Sequence, residues 1–106
     1  MSDDELVKQI QLGNEAAAEE LIKRYYTSIL RYCRWHCSSS EVAEDLTQET
    51  FFRLFKNLSG YSGRKKFKAY LYTIANHLCM RYSAFGRHRL GALAVLSKNG
   101  QSLHKP

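Results

Sequence analysis

Between Tyr61 and Tyr82 cations alternate with aromatic rings: Tyr61, Arg64, Lys65, Lys66, Phe67, Lys68, Tyr70, Tyr72, His77, Arg81 and Tyr82. Lysine and arginine hold phosphates through contacts that weaken as salt rises. Exposed aromatic faces accept unstacked bases, worth about 1–3 kcal/mol each. Interleaved in one short stretch, the two residue types fit single-stranded or locally opened DNA. Phe67 and Tyr82 fall on an apolar stripe and are assigned to the core. Tyr70 and Tyr72 flank Leu71 and cannot both face inward with it, so at least one is expected at the surface.

A second group lies upstream, in the sixteen residues Ala43–Leu58. Ala43, Leu46, Thr50, Phe51, Leu54, Phe55 and Leu58 recur at three- and four-residue steps and make a core-facing helical stripe. Asp45, Gln48, Glu49, Phe52 and Lys56 recur at the same steps on another side. A solvated face has no need of the phenylalanine. An apolar anchor ringed by groups that fix register reads as a partner surface. Glu41 and Glu44 sit where acids favour a helix N-terminus and are assigned to that role.

A third group is Cys33, His36 and Cys37, at i, i+3 and i+4, with His77 or Cys79 as the nearest candidates for a fourth ligand. Structural zinc sites usually carry a loop-borne Cys-x-x-Cys instead. The expectation is free buried thiols and no metal or other cofactor. No histidine has a serine or cysteine partner at a catalytic spacing, and no glycine-rich phosphate loop follows a strand. Glu44, Asp45 and Glu49 share one helix with no pocket implied. The chain is read as a non-enzyme.

The elements that must position these groups follow from periodicity. The 106 residues suffice for one domain with a modest core. Asp3–Leu12 reads as a short helix stopped by Gly13. Asn14 caps a longer one to about Cys37, with Ala17, Leu21, Tyr25, Ile29, Tyr32 and Trp35 or His36 as its stripe. Tyr25, Tyr26, Tyr32 and Trp35 are expected to pack. One of Ser38, Ser39 and Ser40 should cap the third helix, and Ser38 with Glu41 fits a capping box. Ser59–Lys66 is a loop. A fourth helix runs from Phe67 to Tyr82 or a little beyond, with Phe67, Leu71, Ile74, Ala75, Leu78 and Tyr82 buried. No strand-like alternation occurs. The fold class is all-α, a compact bundle of about four helices over residues 1–82. Residues 83–106 form a divergent basic and apolar tail, partly disordered.

Charge is divided along the chain. Residues 1–58 carry seven Lys/Arg against ten Asp/Glu, a net of −3, while residues 59–106 carry nine Lys/Arg and no acid. Two partners of opposite sign are implied, the second a polyanion. The acidic start and the lack of an eighteen-residue apolar run exclude a signal peptide and membrane insertion, so a cytoplasmic location is expected.

The run Ala-Glu-Asp-Leu-Thr-Gln-Glu-Thr-Phe from Ala43 to Phe51 closely resembles the core-polymerase-binding segment of bacterial sigma factors of the sigma-70 family. It is closest to the extracytoplasmic-function type. The likeness extends from about Glu15 to about Tyr82 and corresponds to that family's second conserved region. It implies that Asp45, Gln48, Glu49 and Phe52 bind the clamp helices of the largest subunit of core RNA polymerase. It further implies that the loop Tyr61, Ser62, Gly63, Arg64, Lys65 and Lys66 captures a base flipped from the non-template strand of the promoter −10 element. The segment Phe67–Ala75 looks like the family's Phe-x-x-Trp-Leu-x-x-Ile-Ala, which opens and reads that strand. Lys68, Tyr70, Tyr72, Thr73, Asn76, His77 and Arg81 would contact DNA with Tyr61, Arg64, Lys65 and Lys66.

Tyr70 stands where the family has Trp, Asn76-His77 replaces its common Arg-Asn, and Arg81 adds a cation. The family's second domain, a helix-turn-helix for the −35 element, has no counterpart in the 106 residues. The chain is therefore expected to be an isolated −10 module, a truncated product or half of a split factor. An alternative of another class is a degenerate sigma-like interaction protein that occupies polymerase or an anti-sigma factor without opening promoters.

Overall fold

The computed structural model describes residues 1–37, 39–62 and 65–85. The chain folds as four helices, α1 (Asp3–Gln11), α2 (Glu15–His36), α3 (Ser40–Asn57) and α4 (Phe67–Phe85), with a 3-10 turn at Leu58–Gly60 between α3 and α4. Among the described residues there is no strand, as the absence of alternation requires. The expectations for Ser38, Gly63 and Arg64, and for the tail beyond residue 85, lie outside the described residues.

Each helix start has a local cause. Ser2 and Glu5 close a capping box on α1, Ser2 Oγ accepting from Glu5 N at 3.1 Å and Glu5 Oε1 from Ser2 N at 2.7 Å. The box, led by the Ser2 N–H, holds the exposed Glu5 carboxyl below its usual range. Gly13 takes φ 94, a left-handed conformation that a side chain would strain, and so turns the chain out of α1. Asn14 then caps α2 through Ala17 N. The third cap is one of the three serines expected. Ser39 is the N-cap of α3 and its Oγ accepts from Val42 N at 3.2 Å. A capping oxygen reaches the N–H three residues on, which here belongs to Val42, so Ser39 closes no capping box; the pairing of Ser38 with Glu41 lies outside the described residues.

α2 is the spine against which the other three helices pack. Leu21, Ile29 and Cys33 are fully buried along it, beside Ala43 and Leu54 of α3 and Leu71 and Ala75 of α4. The stripe expected on α3 is buried or half-buried throughout. Thr47, which a hydrophobicity pattern passes over, is also fully buried. Its hydroxyl donates to Ala43 O at 2.8 Å, and that of Thr50 to Leu46 O at 2.7 Å. Each hydroxyl is thus satisfied inside its own helix, which removes the cost of burying it.

Two expectations on α2 are overturned. Trp35 does not pack; it is 87% exposed. His36 is also exposed, its ring lying 4.5 Å from that of Tyr32. The core at this end is filled by Cys33 and Cys37. At about 100° per residue, Trp35 lies about 200° round from Cys33, on the outer side. Tyr25, Tyr26 and Tyr32 are half-buried as expected, Tyr26 stacking on Phe51 with centroids 6.1 Å apart.

The three cysteines are free and buried. The Cys33 and Cys79 thiols act on each other, which pulls the Cys33 thiol down and pushes that of Cys79 up. With Cys33 and Cys37 turned inward and His36 outward, the metal reading has no geometry behind it. Among the described residues no group of three or more His, Cys, Asp or Glu side chains could hold an ion. No helix among them is long and apolar enough to cross a membrane.

Candidate partner and nucleic-acid interfaces

The outer face of α3 presents the second group as one surface. Asp45 and Gln48 are exposed, and Phe52 is 61% exposed one turn further on. Lys56 Nζ lies 6.0 Å from the Phe52 ring centroid, at the outer limit of a cation–π contact. Glu49 is half-buried, and its Oε2 accepts from Arg53 Nε at 2.8 Å. That bond is an i,i+4 pair within the helix, so the Glu49 carboxylate is partly committed before any partner arrives.

The loop to α4 is held from both ends by α1. Gln11 Nε2 donates to Leu58 O at 2.8 Å and to Tyr61 O at 3.0 Å, fixing where the chain leaves the 3-10 turn. Asp4 Oδ2 accepts from Lys65 N at 2.7 Å, close to where α4 begins. Lys65 adopts φ 63, a left-handed conformation uncommon for a residue with a Cβ, and the carboxylate bond compensates for it. α1 is itself anchored by Asp3, which bridges Arg24 at 3.0 Å and accepts from the Tyr25 hydroxyl. Burial, then this bond, pushes the Tyr25 phenol up to about 12. Neither Asp4 nor Gln11 was singled out in the sequence. A first-turn acid looks like a response to the helix dipole, and the partners lie about fifty and sixty residues away.

Tyr61 is more engaged than a bare stacking platform. Its ring lies 4.7 Å from Tyr70 and 6.0 Å edge-on to Phe67. Its hydroxyl oxygen and Asp4 Oδ1 are buried with no hydrogen-bond partner among the described residues. Burial, and then the nearby Asp4 charge, raises the Tyr61 phenol above its usual range. Lys65, Lys66 and Lys68 project into solvent around it.

Along α4 the expected DNA residues divide between two flanks. Tyr70, His77 and Arg81 border an open cleft of about 670 Å³ whose far wall is Arg53 and Asn57 of α3. Tyr72 turns the other way, toward α2, and Asn76 borders the cleft while its amide also reaches α2. The Tyr72 ring meets Tyr32 edge-on at 5.3 Å, and Asn76 Oδ1 accepts from the Tyr32 hydroxyl at 2.9 Å. Thr73 is exposed, its hydroxyl donating to Ala69 O at 2.8 Å. Tyr70 and Tyr72 thus share the solvent boundary, each half-buried on its own side of Leu71.

A four-helix α-bundle with an acidic, phenylalanine-bearing face on one helix and a basic, aromatic loop and helix beside it is the arrangement that the sequence likeness implied. The family model for sigma-70 region 2 matches residues 21–88. The chain belongs to the sigma-70 family through that region. It is 37% identical over 59 residues to the RNA polymerase sigma factor YlaC of Bacillus subtilis, covering 56% of this chain and 34% of that protein. It is 31% identical over 72 residues to the ECF RNA polymerase sigma factor SigW of the same organism, covering 68% of this chain and 38% of SigW. To the ECF RNA polymerase sigma factor BldN of Streptomyces coelicolor it is 36% identical over 88 residues, covering 81% of this chain and 33% of BldN. The chain therefore spans about a third of the length of these relatives.

Proposed function

We propose that this chain supplies the polymerase-binding and −10-strand-opening part of a sigma factor, a binding function without catalysis. The observation that carries this is the outer face of α3. Phe52 stands exposed beside Asp45 and Gln48, on a helix whose opposite face fills the core. Asp45, Gln48, Glu49 and Phe52 grip the clamp helices of the polymerase's largest subunit, the phenylalanine as anchor and the polar groups setting register.

The loop and α4 then act on the non-template strand of the −10 element. Opening a promoter costs the unstacking of a base, a few kcal/mol in a typical flipping event. Lys65, Lys66 and Lys68 offset that cost through phosphate contacts, with Arg64 of the same loop. Tyr70, His77 and Arg81 line a cleft open enough to receive an extruded base. Thr73, Tyr72 and Asn76 complete the contact, and Tyr61 supports it through its tilted ring contact with Tyr70.

The second reading, occupation of polymerase or an anti-sigma factor without promoter opening, draws support from one hydrogen bond and one aromatic cluster. The Asn76 oxygen is committed to Tyr32, and the Tyr61 ring is flanked by Phe67 and Tyr70. Titrating isolated clamp helices with wild type, Asp45→Ala and Gln48→Ala tests the shared first step. Saturable wild-type binding that either substitution abolishes, in a protein with unchanged helicity, is the expected result. Equal binding by all three refutes the partner face. A −10 oligonucleotide carrying a fluorescent base then separates the readings, since only strand opening changes the emission of that base.

A further inference from the structure

Trp35 is the single tryptophan of the chain and stands 87% exposed at the end of α2. It belongs to neither interface described above. Its charged neighbours along the second half of α2 are cationic. The other exposed large apolar side chains among the described residues are Met1, Leu12, Phe52 and Met80, none of them on α2, so Trp35 is not the centre of an apolar patch on its own helix. Arg31 lies one turn before it and Arg34 beside it, both exposed. The acids of α2 are Glu15, Glu19 and Glu20, all in its first two turns, and from Lys23 to His36 its charged residues are cationic only. The partial negative charge at a helix C-terminus, roughly half a unit, opposes an anion there, and two guanidinium groups outweigh it.

The position of Trp35 adds continuity. It lies about 60° round the helix from Tyr32. Tyr32 in turn touches Tyr72 at 5.3 Å and His36 at 4.5 Å, and donates to Asn76. The α2-facing flank of α4 therefore reaches Tyr32, which lies one turn before Trp35 on α2.

We propose that the C-terminal end of α2 is an additional single-stranded DNA contact, on which Trp35 stacks an unpaired base while Arg31 and Arg34 hold the adjoining phosphates. An exposed indole is the largest stacking surface a protein can offer. Cations beside it supply what a purely apolar protein partner would not require. This inference rests on the reading of α4 as a single-strand contact and extends that contact to a second helix.

The whole chain provides its own reporter, because all indole emission comes from Trp35. Single-stranded AT-rich DNA is titrated into the protein at low salt while emission and the anisotropy of end-labelled DNA are followed together. The expected result is saturable quenching at the concentration where anisotropy rises. Trp35→Ala should weaken binding at least about fivefold, the lower end of one base–aromatic stack. Trp35→Phe should keep part of that affinity, and Arg31→Ala should lower the salt slope by about 0.7, one phosphate contact on a single strand. DNA binding that Lys65→Ala or Lys66→Ala weakens, with no quenching and no effect of Trp35→Ala, overturns the inference and leaves the α4 reading standing. Quenching by clamp helices but not by DNA overturns it in favour of a protein contact. A folded wild type that binds no single strand removes both readings together.

Discussion

Phe52 and Leu54 are two residues apart on α3 and make opposite use of their apolar surface. Leu54 is fully buried, whereas Phe52 is 61% exposed. Leu54→Ala should therefore cost about 2–5 kcal/mol of stability, the range for deleting a buried leucine and leaving a cavity. Phe52→Ala removes little that the folded chain relies on, and its unfolding midpoint in urea should stay close to that of wild type. Its expected effect is on clamp-helix affinity, a loss of about thirtyfold if the ring is a hot-spot anchor of about 2 kcal/mol. Urea unfolding and clamp-helix titration of the same two variants decide the matter. A stability loss in Phe52→Ala with affinity unchanged would place the ring in the fold and not in the interface. Both side chains were distinguished in the sequence because a core stripe and a surface anchor differ by a fixed angle on a helix. Trp35 was misplaced for the converse reason. The pattern favoured the largest apolar residue near the end of α2, while the space there is closed by the small thiols of Cys33 and Cys37.

At the scale of elements, periodicity placed all four helices, and a polar N-cap marks the start of α1, α2 and α3. The bonds that join α1 to the loop were not legible. Hydrogen bonds of Asp4 to Lys65 and of Gln11 to Leu58 and Tyr61 link residues far apart in the chain and leave no periodic trace. They make α1 a brace for the loop, and a test follows from the backbone. Asp4→Ala removes the acceptor that compensates the left-handed Lys65, so the Lys65 amide should lose protection in hydrogen exchange and the loop should become more mobile. α3 is untouched by this change, and clamp-helix binding should remain at the wild-type level. Adding Lys65→Gly to Asp4→Ala should restore part of the loop order, since glycine takes φ 63 without a Cβ penalty. Equal exchange at residue 65 in wild type and Asp4→Ala would mean that the carboxylate bond does not hold the loop.

Over the whole molecule, charge is partitioned along the sequence and the fold gives that partition a surface. The acids of α3 face outward on one side, while the loop and α4 contribute Lys65, Lys66, Lys68 and Arg81, all exposed. What composition could not give is how many of these cations meet phosphate at once, since that depends on which lie along one strand's path. Salt dependence counts them. Each phosphate contact on a single strand contributes about 0.7 to the slope of log affinity against log salt, and about 0.9 on duplex DNA. Lys65→Ala and Lys66→Ala should each lower the affinity for −10 DNA and reduce the slope by about one contact's worth, leaving base preference unchanged. Tyr70→Ala should do the reverse, lowering affinity and preference at one position with the slope intact, because stacking releases no counterions. A slope unaltered by either lysine substitution would place those side chains in bulk solvent. The positive half of the chain would then serve general attraction to a polyanion, and base capture would fall to the cleft between Arg53 and Arg81 alone.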